Sequence, residues 1–310
     1  MIKKVLITGV AGFIGSNLAE RLLTEGYEVV GIDNLSYGKK DHVPVGVKFY
    51  NADIRGKEMY PYFEGMDTVF HFSAKNSIVD CQKDPVGTAD INVTGTVNVL
   101  MACSLAKVRK VIYAETSAIY EGSQKFPTPE EDEHPESFYA SSKLATKYFA
   151  QSFAKFHKMN IVALRYFNVY GPKQDFHRTI PPLMSGIIIK LLKGQSPIIY
   201  GDGTKRRDFV YIDDINDFHI QCITDNRTNG GTFNLGGGKN YSVMKIYEIV
   251  EKFLGTNIKP EFKENMEGEA QENLGDISKA RGLGWEPRTS MEEGIKKSIE
   301  YIKEKVLPTL

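Results

Sequence analysis

Cysteine is scarce in this chain. Cys81, Cys103 and Cys222 are the three present among 310 residues, widely spaced and without a Cys-x-x-Cys pair. That pattern excludes a disulfide framework or a zinc cluster and fits a reducing, cytoplasmic compartment; no metal is expected. Neither sign of charge is in excess, with 39 basic against 39 acidic side chains and no long Lys/Arg tract, which argues against a grip on nucleic acid. The two long uncharged stretches, Val5–Ala19 and Ile91–Ala106, include Gly, Asn or Thr. Both are shorter than the roughly 20 apolar residues that span a bilayer, so no membrane partner is expected. The first follows Lys3-Lys4, but its glycines are better explained by a folded turn than by a signal peptide. Internal repeats and low-complexity tracts are lacking too, and Glu130-Glu131-Asp132-Glu133 is expected to be a solvated loop.

What is there is an ordinary globular composition, 41% hydrophobic and 25% charged, in a chain long enough for one large domain or two modest ones. Short apolar runs punctuate the first half: Val5-Leu6-Ile7, Val29-Val30-Gly31-Ile32, Thr68-Val69-Phe70, Val111-Ile112-Tyr113 and Ile161-Val162-Ala163-Leu164. Between them, Ser16–Thr24, about Thr94–Ala106 and about Tyr139–His157 have room for crossover helices. Continuous apolar strands alternating with helices predict an α/β fold, a Rossmann-type doubly wound parallel sheet with both faces covered. The later half predicts helices capped by Ser242 and by Ser290 with Glu293. We expect residues 1–165 to form the nucleotide-binding domain and 166–310 mainly a smaller C-terminal α/β substrate domain, with the chain returning in part to the first after about residue 205.

Thr8-Gly9-Val10-Ala11-Gly12-Phe13-Ile14-Gly15 follows the first strand and opens the first helix. Gly9 suits a tight turn, Gly12 a close approach to a pyrophosphate, and Gly15 the packing of helix on strand. The helix start then offers N–H groups to phosphate. Asp33 ends the second strand, where a carboxylate can accept from a ribose diol and repel a 2′-phosphate, so NAD is preferred to NADP; Lys39 and Lys40 lie nearby. Further on, Tyr139 and Lys143 sit four apart, on one helix face. A free phenol is a poor base at neutral pH. A cation one turn away favours phenolate, and such a Tyr can exchange a hydroxyl proton while hydride moves to or from nicotinamide.

With the phrase Arg165-Tyr166-Phe167-Asn168-Val169-Tyr170-Gly171-Pro172 these features resemble the extended short-chain dehydrogenase/reductase family, in its nucleotide-sugar branch. Gly201-Asp202-Gly203-Thr204, Arg207-Asp208-Phe209-Val210 and Asp276-Ile277-Ser278-Lys279-Ala280 extend the resemblance nearly end to end. It implies that Thr116, four before Tyr120, hydrogen-bonds the sugar hydroxyl beside Tyr139. It implies NAD contacts from Gly9, Gly12, Phe13, Ile14, Gly15, Asp33, Asn34, Asp53, Ile54, Phe72, Ser73, Ala74, Asn92, Tyr139, Lys143 and Tyr166. Substrate contacts are implied from Thr116, Ser117, Asn168, Arg207, Glu269 and Asn273, with the guanidinium of Arg207 on a diphosphate.

Family members that dehydrate or decarboxylate carry an acid two after the Ser/Thr; here Ala118 stands there. The resemblance therefore implies 4-epimerisation of a UDP-sugar: Tyr139 removes the O4 proton as hydride leaves C4, the 4-keto sugar turns over with its nucleotide anchored, and hydride returns to the opposite face. Glucose/galactose, N-acetyl and uronic acid forms are all open, as are an epimerase or reductase of another nucleotide-sugar and a non-catalytic NAD-binding module. Two positions depart from the family pattern. Glu121 stands where a glycine is usual, and the stretch Asn265-Met266-Glu267-Gly268-Glu269 lacks a second diphosphate arginine. Asn273, four after Glu269, is expected beside the C2 substituent, where its amide would tolerate glucose and N-acetyl forms. Asp213-Asp214 is expected to cap and position a helix. The resemblance also implies a homodimer built on the helices near 94–106 and 139–157, through residues such as Val97, Val99, Leu100, Met101, Ala102, Ala150, Phe153 and Ala154.

Overall fold

The computed structural model describes residues 3–176, 181–265 and 270–310. Seven strands form one wholly parallel sheet. In chain order they start with β1 (Lys4–Thr8), β2 (Glu28–Asp33), β3 (Lys48–Asn51), β4 (Thr68–His71), β5 (Lys110–Thr116) and β6 (Asn160–Tyr166). After these come the short β7 (Asn168–Tyr170), β8 (Ile198–Tyr200) and β9 (Arg206–Tyr211), and then β10 (Thr232–Leu235), which returns to the large sheet beside β6. The last strands are β11 (Asn240–Ser242) and β12 (Glu261–Lys263). The large sheet runs β10-β6-β5-β4-β1-β2-β3, a doubly wound order whose reversal point lies between β1 and β4, outside the strands' carboxyl ends. A three-stranded sheet β11-β9-β7 and a β12-β8 pair stand beside it.

The helices are α1 (Phe13–Thr24), α2 (Ile78–Lys83), α3 (Pro85–Ala89), α4 (Gly95–Leu105), α5 (Phe138–Phe156), α6 (Leu183–Leu192), α7 (Ile212–Thr224), α8 (Val243–Leu254), α9 (Ser278–Arg281) and α10 (Met291–Tyr301). Two core clusters cover the two faces of the sheet. Ile7, Phe70, Ile112 and Val162 belong to one, and Leu6, Val69, Val111 and Ile161 to the other. Alternate residues of one strand therefore point to opposite faces, and uninterrupted apolar strands are what two covered faces require.

Ser242 and Ser290 cap their helices as foreseen from sequence, whereas Asp213 and Asp214 lie in the first turn of α7, whose N-cap is Tyr211 without a side-chain cap. Ser242 Oγ accepts from Lys245 N at 3.1 Å, and Ser290 Oγ from Glu293 N at 3.2 Å. The Glu293 carboxylate turns to Lys297 at 2.9 Å. The edge strand β3 escaped the sequence reading because Lys48-Phe49-Tyr50-Asn51 is short, half-buried and partly polar, as edge strands are. The apolar surplus of α4 and α5 is also distributed differently from expectation. Val99, Leu100, Ala102, Ala150 and Phe153 are buried in the chain's own core. The exposed large apolar side chains on these helices are Leu105, Phe138, Tyr148, Phe149 and Phe156. Among the described residues, no helix is long and apolar enough to cross a membrane, and no group of three His, Cys, Asp or Glu side chains is arranged to hold a metal ion.

Candidate active site

A cavity of about 550 Å³ opens where the ends of β1, β2 and β4 meet the β11-β9-β7 sheet. Its floor is the turn between β1 and α1. Gly9 takes a left-handed φ of +76°, and a Cβ there would lie 2.8 Å from Ser73 N. A Cβ on Gly15 would collide with the Gly9 carbonyl, and one on Gly12 would stand 3.2 Å from it. The turn is therefore shaped by the absence of side chains, which leaves backbone N–H groups at the start of α1 facing the cavity.

Asp33 ends β2. Its carboxylate accepts from Ala11 N at 3.0 Å and Leu35 N at 2.8 Å. Burial pushes its pKa up, against those two donors. Beyond it, Asn34 donates to Asp53 at 2.9 Å. Arg55 holds the Asp53 carboxyl well below the usual range. After β4, Phe72 N donates to Thr8 O at 3.0 Å, so Phe72, Ser73 and Ala74 lie against the glycine turn. Phe13, Ile14 and Ile54 complete this half of the lining. The residues fit a dinucleotide: a side-chain-free cradle on a helix start, and a carboxylate placed for a ribose diol one strand away.

The opposite wall comes from β5, β6 and α5. Ser137 caps α5 by accepting from Ala140 N at 3.1 Å, and the next turns carry Tyr139 and Lys143 into the cavity beside Thr116. Lys143 is almost wholly buried. Burial pushes its pKa down to about 8, while the charge of Glu115 works in the other direction. Thr116 Oγ1 accepts from Ala118 N at 3.1 Å, a contact that leaves its own proton for donation. Tyr166 also lines the cavity, its hydroxyl 2.6 Å from His219 Nε2.

The unusual Glu121 is accounted for. Its carboxylate accepts from Ser137 N at 2.8 Å and from Ser137 Oγ at 3.0 Å, tying the turn after β5 to the start of α5. Asp214 binds Arg288 N at 3.0 Å and the Thr289 hydroxyl at 3.1 Å, a joint between α7 and the segment before α10. Neither Asp213 nor Asp214 lines the cavity.

On the substrate side, Asn168 and Arg207 line the cavity. Asn168 Nδ2 donates to Asp208 O at 2.8 Å, and Arg207 Nη1 to Arg206 O at 2.9 Å. Asn92, Ser117 and Asn273 are not among the lining residues. Asn92 instead forms a clamp: it accepts from Lys75 N at 2.8 Å, and donates to Lys75 O and to Ser142 Oγ, each at 2.9 Å. Ser117 opens a turn of 3₁₀ helix that ends at Tyr120. Asn273 Oδ1 accepts from Asp208 N at 2.7 Å and Asn168 Nδ2 at 3.3 Å. Glu269 and Met266 lie outside the described residues.

Several lining residues carried no sequence signal, among them Tyr37, Lys75, Lys173, Met184 and Val243. They come from loops and from the starts of α6 and α8, and only the fold brings them to the cavity. Glu115 did carry one, as an acid inside an apolar strand with Arg165 in the same register on the next.

A dinucleotide cradle facing a Thr–Tyr–Lys wall across one cavity defines a short-chain dehydrogenase/reductase site of the extended type. The profile of the NAD dependent epimerase/dehydratase family matches residues 5–236, and the chain belongs to that family. Its cofactor is NAD. Among curated relatives, a putative UDP-glucose 4-epimerase of Methanocaldococcus jannaschii is 33% identical over 304 residues, 96% of this chain and 98% of that protein. A UDP-glucuronate 4-epimerase of Thermodesulfobacterium geofontis is 35% identical over 97% of this chain and 96% of its own. Among solved structures, the UDP-glucose 4-epimerase of Thermotoga maritima with UDP-glucose superposes with a TM-score of 0.94 at 32% identity, covering 98% of this chain and 99% of that one.

Proposed function

We propose that this chain is an NAD-dependent 4-epimerase of UDP-sugars, acting on the glucose/galactose pair and open to N-acetyl and uronic acid forms. The observation that carries the reading is the meeting of Thr116, Tyr139 and Lys143 at one wall of the cavity whose other wall is the glycine cradle. The names of the relatives point the same way. NAD, when bound, supplies a reversible hydride acceptor for C4. Tyr139 takes the O4 proton and later returns it, Lys143 favours the phenolate, and Thr116 donates to or relays from the same oxygen. Arg207 and Asn168 hold the diphosphate side while the 4-keto sugar turns over. Ala118 offers no second acid for elimination or decarboxylation. Residues 1–165 with the returning β10 serve the cofactor, and the rest of the chain chiefly the substrate.

The working form is a homodimer. The exposed apolar side chains of Leu105 on α4 and of Phe138, Tyr148, Phe149 and Phe156 on α5 support this, because large exposed apolar side chains are what an interface covers. Sedimentation at micromolar concentration tests it, and a monomer would count against it.

The test of function is incubation of the NAD-loaded protein with UDP-, dTDP-, GDP- and CDP-sugars, with products resolved by NMR. Interconversion of UDP-glucose and UDP-galactose without net cofactor turnover is expected. Tyr139→Phe should lower kcat by about 10²–10⁴-fold with NAD content intact. Net consumption of NADH would indicate a reductase instead.

A further inference from the structure

The strand that ends at Thr116 carries a buried carboxylate immediately before it. Glu115 is 2% exposed and lines the same cavity as Thr116, Tyr139 and Lys143. Both of its oxygens are held: Tyr113 Oη donates to one at 2.5 Å and Arg165 Nε to the other at 2.6 Å. Arg165 faces Glu115 directly in the β5–β6 register and does not line the cavity. Its guanidinium is shared, reaching Tyr120 Oη at 2.8 Å and the Glu133 carboxylate. Glu133 is in turn paired with Lys147 of α5 at 2.5 Å. A second titratable group that feels the charge of Lys143 is His71 of β4, which burial keeps neutral.

A buried ion pair is a weak device for stability, because desolvation offsets much of the attraction. Its position is better explained by what it faces. Lys143 is buried and has to keep its charge to act on Tyr139. Burial disfavours that charge, and the group whose field restores it is Glu115. Arg165, anchored to two carboxylates, fixes the Glu115 carboxylate without entering the cavity.

We propose that Glu115 is a positioning residue of this site: its carboxylate, fixed by Tyr113 and Arg165, holds the proton on Lys143 and thereby keeps Tyr139 poised as phenolate. The proposal rests on the acid–base reading of Tyr139 and Lys143 given above.

The test uses Glu115→Gln, which keeps the shape and one accepting oxygen but removes the charge, and Glu115→Asp, which keeps the charge. The ionisation of Lys143 is read by NMR in lysine-labelled, NAD-loaded protein, and kcat/KM for UDP-galactose is followed against pH. Loss of a nearby opposite charge shifts a pKa by about one unit or more. In Glu115→Gln, Lys143 should therefore lose its proton about one pH unit lower. The basic limb of kcat/KM should move down with it, giving roughly tenfold less activity on that limb, and Glu115→Asp should restore both. Should Glu115→Gln not fold, the double substitution Glu115→Met/Arg165→Met removes the carboxylate together with its guanidinium partner, and Glu133 keeps Lys147; because the lost Arg165 charge opposes the lost Glu115 charge, a smaller downward shift is expected.

A folded variant without Glu115 in which the Lys143 titration and the basic limb stay in place overturns the proposal. So does a Glu115→Asp that is more damaged than Glu115→Gln with the profile unmoved, since that is the pattern of a packing role. If Tyr139→Phe and Lys143→Ala themselves retain activity, the underlying acid–base reading fails instead.

Discussion

Glu121 accepts from both the backbone N–H and the hydroxyl of Ser137, the residue that caps the helix bearing Tyr139 and Lys143. A side chain that interrupts the glycine usual after Tyr120 therefore secures the start of that helix. Removing it leaves these two donors and Glu136 N, which also donates to it, short of a charged acceptor. Glu121→Ala should lower unfolding stability by about 1.5–3 kcal/mol, the range for hydrogen bonds to charged groups. A urea midpoint equal to that of the parent would show that water replaces the contact.

Asp33 holds Ala11 N and Leu35 N at 3.0 and 2.8 Å, joining the glycine turn to the end of β2. Asp33→Ala is expected to weaken NAD binding by about tenfold or more, through lost charged hydrogen bonds to the ribose and a loosened turn. Titration of the stripped protein with NAD and NADP measures this. A preference for NADP in the parent would contradict the role given to this carboxylate.

Asn273 Oδ1 is committed to Asp208 N and Asn168 Nδ2. Its substitution should therefore act on the joint and not on the sugar's C2 substituent. Asn273→Ala leaves the buried end of β9 with an unpaired donor, at a cost of about 1–3 kcal/mol in stability. The ratio of kcat/KM for UDP-glucose and UDP-N-acetylglucosamine should not move. A selective change in that ratio would return Asn273 to the pocket wall.

Acid stability is governed in part by two buried imidazoles. Burial pushes His71 and His219 from 6.5 down to about 3, with Lys143 adding to the effect at His71. The unfolded chain takes up protons there that the folded chain refuses. Their contribution is complete above pH 6.5 and is lost as pH falls toward 3. Asp208 works in reverse: burial lifts it from 3.8 to about 7, so its contribution is present at low pH and is lost as pH rises through that window. Each titrating group changes stability by about 1.4 kcal/mol per pH unit. His219→Gln should reduce the acid-side slope by about that amount between pH 6 and 4, as read from urea midpoints. An unchanged slope would mean that His219 is protonated in the fold.

What the sequence determined by itself is local. Val5–Thr8 followed by three spaced glycines specifies strand, turn and helix. Tyr139 and Lys143 fall on one face because four residues are one turn, and Ser137, Ser242 and Ser290 cap helices because a hydroxyl reaches the N–H three residues on. The family phrases added which residues to look at.

The tertiary structure alone decided whatever depends on separation in the chain. The edge strand β3 carries no strong pattern and is a strand because β2 pairs with it. β10 is drawn back to β6 across some seventy residues by register. Asn92 and Asn273 read as ligand contacts, yet the Asn92 amide is held by Lys75 and Ser142, and the Asn273 amide oxygen by Asp208 and Asn168. The exposed apolar side chains of α5 are Phe138, Tyr148, Phe149 and Phe156, because the core has already claimed Ala150 and Phe153. Glu115 and Arg165 become a pair only when two strands fifty residues apart align. Periodicity reports the face of one element, whereas the partner of a buried amide or charge is set by which elements the core brings within hydrogen-bond reach.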